Sequence, residues 1–115
     1  MGGIGLPGDN SSAARYVRAV FTKLNSKCKA EETEAIAQYF HILNTVCQVN
    51  GCTNIGNQYE KTLYSSCCNT DKGIYYYTTY ENPQISSVHL HRAELNSSAL
   101  ISYELIRKMD IKTAL

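Results

Sequence analysis

From Ala14 onward the apolar residues Val17, Val20, Phe21 and Leu24 recur at intervals of three and four, the spacing of one face of an α-helix. Asp9, Asn10, Ser11 and Ser12 stand just ahead of that stripe, and each has a short side chain able to accept from the free amides of a first turn. A helix is therefore predicted from this cap to Asn25-Ser26. Arg15, Arg18 and Thr22 gather away from the stripe, with Arg15 almost opposite it. A second helix is predicted from Glu31-Glu32, whose charges suit the positive end of a helix dipole, to Asn50-Gly51. Its apolar positions, from Ala35, Ile36, Tyr39 and Phe40 through Ile42 and Leu43 to Val46, Cys47 and Val49, would cover about half the circumference, more than a surface helix needs. Such a helix expects several partners.

The second half changes period. Tyr59 to Cys68 and Ile74 to Tyr80 read as two strands joined by Asn69-Thr70-Asp71-Lys72-Gly73, a turn-forming run that ends in glycine. Asn82-Pro83 breaks the chain again, and Ile85, Val88 and Leu90 support a third strand completing an antiparallel meander. Leu100 to Ile106 fits a short strand or a last helical turn. Ahead of everything, the first eight positions hold four glycines and one proline, which makes a loop with no preceding strand. The chain is expected to begin part-way through a fold.

Composition narrows the function classes. The 115 residues make a normal single-domain length, and 11 basic against 10 acidic residues, interspersed, give a net charge of +1 and no basic stripe for nucleic acid. No apolar run approaches the roughly 20 residues that span a bilayer, and no export signal opens the chain, so no membrane partner is expected and a cytoplasmic location is. The five cysteines are odd in number, and the adjacent Cys67 and Cys68 would face opposite sides of a strand, which argues against a disulfide framework. Nine tyrosines, three of them in Tyr75-Tyr76-Tyr77, suit a half-buried sheet.

Several chemical signatures have plainer readings. Gly3-Ile4-Gly5-Leu6-Pro7-Gly8 matches a dinucleotide fingerprint letter by letter, yet that motif needs a strand to deliver its backbone to a phosphate, so a plain turn is expected. His89 and His91 would share one strand face, but a zinc site takes three or four ligands, so neither metal nor cofactor is expected. The thiols have no base or cation at a telling spacing; Cys47 on the apolar arc and Cys67-Cys68 in a strand read as buried and inert. Arg15 is different. A cation in the first turn of a helix opposes the dipole, so helix stability gives no reason for it. A solvated surface arginine is the plain alternative.

The run Gly5-Leu6-Pro7-Gly8-Asp9-Asn10-Ser11-Ser12-Ala13-Ala14-Arg15-Tyr16-Val17-Arg18 is followed in order by Gln38-Tyr39-Phe40-His41-Ile42-Leu43, Tyr64-Ser65-Ser66-Cys67-Cys68 and Asp71-Lys72-Gly73-Ile74-Tyr75-Tyr76-Tyr77. Together these resemble the C-terminal third of choloylglycine hydrolases, the bile salt hydrolase and penicillin V acylase family of N-terminal nucleophile hydrolases. The resemblance implies an α+β chain contributing two helices and an antiparallel meander to an α-β-β-α sandwich. Residues 1–115 would be an incomplete domain whose partner is the missing N-terminal portion. It further implies a cysteine nucleophile at the start of that portion, cleavage of the amide bond of glycine- or taurine-conjugated bile salts, and a tetrameric assembly. Arg15 stands at the place of an active-site arginine beside that cysteine, where a guanidinium favours thiolate over thiol; Arg18 is the second candidate. Ala13-Ala14-Arg15-Tyr16 stands where the family commonly has Ser-Arg-Phe. Alternatives are a penicillin V acylase-like fragment and a non-enzymatic binding domain that holds a partner or a steroid-like ligand on its tyrosine-rich sheet.

Overall fold

A computed structural model describes residues 2–115. The chain divides into two compact units, the first ending at Thr62 and the second running Leu63–Leu115. The expected α+β order is the one observed: two helices, then antiparallel strands in two small sheets.

In the first unit α1 spans Ser12–Asn25, with Ser11 as N-cap and Ser26 as C-cap, as its stripe and cap predict. The Ser11 hydroxyl accepts from the Ala14 amide at 3.2 Å, satisfying one of the donors that a helix start leaves open. Helix α2 spans Glu32–Asn44 and is capped by Glu31, whose two carboxylate oxygens accept from the Thr33 and Glu34 amides. Ala14 of α1 and Phe40 of α2 are the buried apolar residues of this unit among those described, and the Tyr39 ring meets Phe40 edge to face at 5.9 Å. The rest of the α1 stripe is less covered: Val17 and Leu24 are exposed.

Helix α2 stops six residues short of the predicted end at Asn50, because other partners take its backbone. The Thr45 amide turns back to Ile42 O, the Val46 amide to Leu43 O and the Cys47 amide to Asn44 O, the tighter pattern of a closing turn. The Thr45 hydroxyl also donates to Ile42 O at 2.7 Å. Val46, Cys47 and Val49 thus leave the apolar arc, and Cys47 is exposed rather than buried. Asn50-Gly51 does mark a turn, in which the Cys52 amide reaches Val49 O and Gly51 has φ 96°, but it follows the helix at a distance.

A hairpin then closes the unit, with β1 Thr53–Ile55 paired to β2 Gln58–Glu60 around Gly56, whose φ is 62°. Tyr59 belongs here and not to the long strand expected from Tyr59 to Cys68. The break comes at Thr62, which exchanges bonds with Gln48 in place of continuing a ladder.

The second unit is the predicted meander, β3 Tyr64–Asn69, β4 Ile74–Thr79 and β5 Ser86–His89, in the order β3-β4-β5. Its first turn is the expected one: the Asn69 carboxamide accepts from the Lys72 amide and Gly73 adopts φ 63°. Ile74 and Tyr77 on β4 are buried. Ile85 and Leu90 fall outside β5; Leu90–Arg92 form a 3-10 turn, so His89 and His91 do not share a strand face. Leu100 to Ile106 is neither strand nor helix. Its end is held by side chains, since Tyr77 Oη accepts from the Ile106 amide at 3.0 Å and the buried Asn82 donates to Ile106 O and Lys108 O.

Candidate functional site

The start of α1 is built by its loop. The Leu6 amide bonds to Gly3 O in a turn whose glycines, Gly3 and Gly5, have φ 82° and 85°. These positions favour glycine because a Cβ strains the left-handed backbone. The fingerprint-like run is therefore a turn. Arg18 Nη1 donates to Pro7 O at 3.0 Å and Asp9 O at 2.6 Å, so this guanidinium ties the loop to the helix that follows it. Asp9 Oδ1 accepts from the Ser11 amide at 2.8 Å. Hydrogen bonding from Ser11, with a smaller contribution from Arg18, holds the Asp9 carboxyl below its ordinary value.

Arg15 leaves this frame in another direction. Its Nε and Nη2 both donate to Val46 O, at 3.0 and 2.9 Å, a side-on fork closing on one carbonyl just beyond α2. The side chain is half-buried and not simply solvated. A side-on fork leaves the end-on edge of the guanidinium, Nη1 and the second proton of Nη2, pointing elsewhere, and among the described residues that edge carries no hydrogen bond. Arg15 is thus a cation with a fixed plane and an edge available to a carbonyl, carboxylate or thiolate.

The carbonyl that holds Arg15 is itself anchored. Gln48, two residues on, is 6% exposed. Its amide donates to Thr62 Oγ1 at 2.8 Å and its carbonyl accepts from the Thr62 amide at 3.0 Å. Its side chain donates to Glu60 Oε2 at 3.1 Å and to Asn10 O at 3.5 Å, and accepts from Thr53 Oγ1 at 3.2 Å. Asn10 in turn donates to Thr53 Oγ1. Sequence reasoning missed Val46 and this cluster; the available signal was a lone amide side chain within the apolar run Val46, Cys47, Val49.

The remaining candidates stay apart from Arg15 in chemistry. Cys28, Cys47, Cys52 and Cys68 are exposed free thiols, which overturns the expected burial of Cys47 and Cys68. Cys67 is half-buried, and burial pushes its thiol up, away from a reactive thiolate. Among the described residues no three His, Cys, Asp or Glu side chains gather to hold a metal ion, and no helix is long and apolar enough to cross a membrane. The second unit carries a cavity of about 380 Å³ lined by Cys68, Ile74, Tyr75, Val88 and Leu90 among others.

The chain as a whole is similar to known proteins of one family. Over 106 residues the chain is 55% identical to the bile salt hydrolase/transferase of Lactiplantibacillus plantarum, covering 91% of this chain and 33% of the relative. It superposes on a mutant of the conjugated bile acid hydrolase from Clostridium perfringens with a TM-score of 0.83 at 34% identity, covering 96% of this chain and 34% of that one. The penicillin V acylase of Agrobacterium tumefaciens matches with a TM-score of 0.65 at 22% identity over 77% of this chain and 28% of that one, which speaks for the fold alone. The chain spans about a third of the length of the curated relatives it matches. Residues 1–103 match the model of the linear amide C–N hydrolases, and the chain belongs to the choloylglycine hydrolase family.

Proposed function

We propose that this chain is the C-terminal portion of a bile salt hydrolase domain, residues 1–115, and that it brings Arg15 to an active site completed by an N-terminal portion. In the complete enzyme a cysteine at the start of that portion attacks the amide carbonyl of a glycine- or taurine-conjugated bile salt. The amine leaves with a proton, and water cleaves the resulting thioester to the free acid. Arg15 favours the thiolate and lines up the reacting amide through its end-on edge; Arg18, committed to Pro7 O and Asp9 O, shapes the loop.

The observation that carries this reading is the side-on hold of Val46 O on Arg15, which costs the guanidinium one edge and fixes the other. Preorganised cations of this kind act where charge develops, without reorganising at the moment of reaction. The exposed Val17 and Leu24 support a surface that further chain covers, since apolar stripes on finished domains face inward. Bile salts are favoured over penicillins as substrate by the 55% and 34% identities to bile salt enzymes, against 22% to the acylase.

The test is a chimera in which this chain replaces the matching third of the Lactiplantibacillus plantarum relative. The chimera is expected to release glycine or taurine from conjugated bile salts, and the isolated chain to release neither. A folded chimera inert toward both conjugates, or thiol-dependent turnover by the isolated chain, overturns the reading.

A further inference from the structure

A carbonyl in a connecting segment is a poor anchor for a catalytic arginine unless the segment itself is fixed. Val46 lies beyond α2, in the stretch before β1 that has no regular secondary structure, so the position of the Arg15 fork depends on what holds that stretch. We propose that Gln48 is a positioning residue for Arg15, acting through the Val46 carbonyl. Its backbone is clamped on both sides by Thr62, and its carboxamide joins Glu60 and Thr53 of the hairpin to Asn10 O. Asn10 immediately precedes the N-cap Ser11 of α1, the helix that carries Arg15. One buried amide therefore fixes both the start of the helix that bears the guanidinium and the segment that bears its acceptor. The neighbours Cys47 and Val49 are exposed, so apolar packing of that segment does not explain its placement.

The chemistry is specific to a carboxamide. Glu60 needs a donor and Thr53 an acceptor, and the Gln48 carboxamide offers both from one planar group. Gln48→Met keeps the volume and removes both. Gln48→Glu keeps the acceptor but sets a second carboxylate against Glu60, and adding Glu60→Gln restores a donor on the opposite side of the same contact.

The effect on turnover rests on the reading of Arg15 as an active-site group; the effect on the guanidinium does not. Both are measured in the chimera, labelled with 15N-arginine, with the Arg15 signal assigned by its loss in Arg15→Lys. Gln48→Met is expected to speed exchange of the Arg15 Nε proton with water about tenfold or more, since opening of the segment frees it. It should lower kcat about tenfold while KM stays within about twofold, the pattern of a misplaced catalytic group. Gln48→Glu should do at least as much damage, and Gln48→Glu with Glu60→Gln should regain most of both signals. If Gln48→Met does not fold, Thr62→Val, which removes only the hydroxyl that takes the Gln48 amide proton, is read in the same two ways. A folded Gln48 or Thr62 variant with a lower melting temperature but unchanged Nε proton exchange overturns the proposal, because a merely structural residue behaves so. Full turnover by Arg15→Ala would instead sink the active-site reading, and the exchange measurement would still decide the role of Gln48.

Discussion

In the unit that carries Arg15, side chains reach backbone far along the chain, whereas in the second unit order comes mainly from strands next to one another in sequence. Arg15 takes a carbonyl 31 residues away and Gln48 a carbonyl 38 residues away. By contrast β3, β4 and β5 pair with their immediate successors around short turns. A ladder needs only alternation and a turn residue, both local features. A side chain that bonds to distant backbone needs its partners assembled first. The first arrangement fixes a guanidinium in one plane; the second gives a sheet.

The sharpest way to break this contrast is at Arg15 in the chimera. Arg15→Ala should cut kcat/KM by roughly a hundredfold or more, the size seen when a preorganised electrostatic group is lost from an active site. Arg15→Lys should recover little, because a point charge cannot hold Val46 O side-on and offer a second planar edge. Arg18→Ala, which loosens the loop at Pro7 and Asp9, should cost far less turnover. Equal and mild losses at the two arginines, in a bile salt hydrolysis assay, would leave Arg15 as a structural clamp on Val46 O with no part in the chemistry.

That contrast also governs what the sequence reveals. A cap within Asp9–Ser12, the end of α1 at Asn25, the turn Asn69–Gly73 and the order of the meander are local and were legible; that Ser11 is the cap was not. The end of α2 was not legible, because a tight turn over Thr45, Val46 and Cys47 closes the helix where the apolar periodicity runs on, and the backbone beyond it is taken by Arg15 and Thr62. The hairpin of β1 and β2 was missed although Gly56-Asn57 is a recognised two-residue turn, since Tyr59 fitted the alternation of a longer strand equally well. Arg15 was singled out through a resemblance and the oddity of a cation early in a helix; its acceptor and the cluster behind it leave almost no periodic trace.

The second unit departs from its local character where Asn82 and Tyr77 hold the segment around Ile106, and Asn82 offers the next largest effect. Asn82 is 2% exposed, bonds to Ile106 O and Lys108 O through its Nδ2, and accepts from the Gln84 amide. Asn82→Ala should cost about 1–3 kcal/mol, since the buried carboxamide takes with it three hydrogen bonds to backbone. Hydrogen exchange should rise at residues 106–108 and stay nearly unchanged in β3 and β4. A global rise would mean that the terminal segment is integral to the sheet and not strapped onto it.

Gly73 tests the local turn itself. Its φ of 63° is left-handed, and a Cβ there would lie 2.9 Å from His91 Nε2. Gly73→Ala should therefore destabilise by about 1–2 kcal/mol from the backbone conformation alone, with the contact adding to it. In a His91→Ala background the contact is relieved and the backbone term stays, so the penalty should shrink without vanishing. Denaturant midpoints of the four variants give the coupling. No coupling would mean that the imidazole moves aside freely.

The smallest effect is expected at the cap of α2, where the bonds are local although the unit is not. Hydrogen bonds from the Glu34 and Thr33 amides hold the Glu31 carboxyl below its ordinary value, with neighbouring Glu32 opposing them. A carboxyl whose folded value is depressed stabilises the fold above its unfolded value, and that contribution is lost as pH falls through the folded one. Exchange at the Thr33 and Glu34 amides, corrected for intrinsic rates, should thus show less protection as the solution is acidified through and below the ordinary glutamate range. Glu31→Gln should flatten this dependence, because a neutral amide offers one acceptor oxygen and does not titrate. The cap is open to solvent, so added salt should weaken the charge contribution further. If Glu31→Gln keeps the full pH dependence, a group other than the Glu31 carboxyl titrates at the start of α2 and the cap is not the source of it.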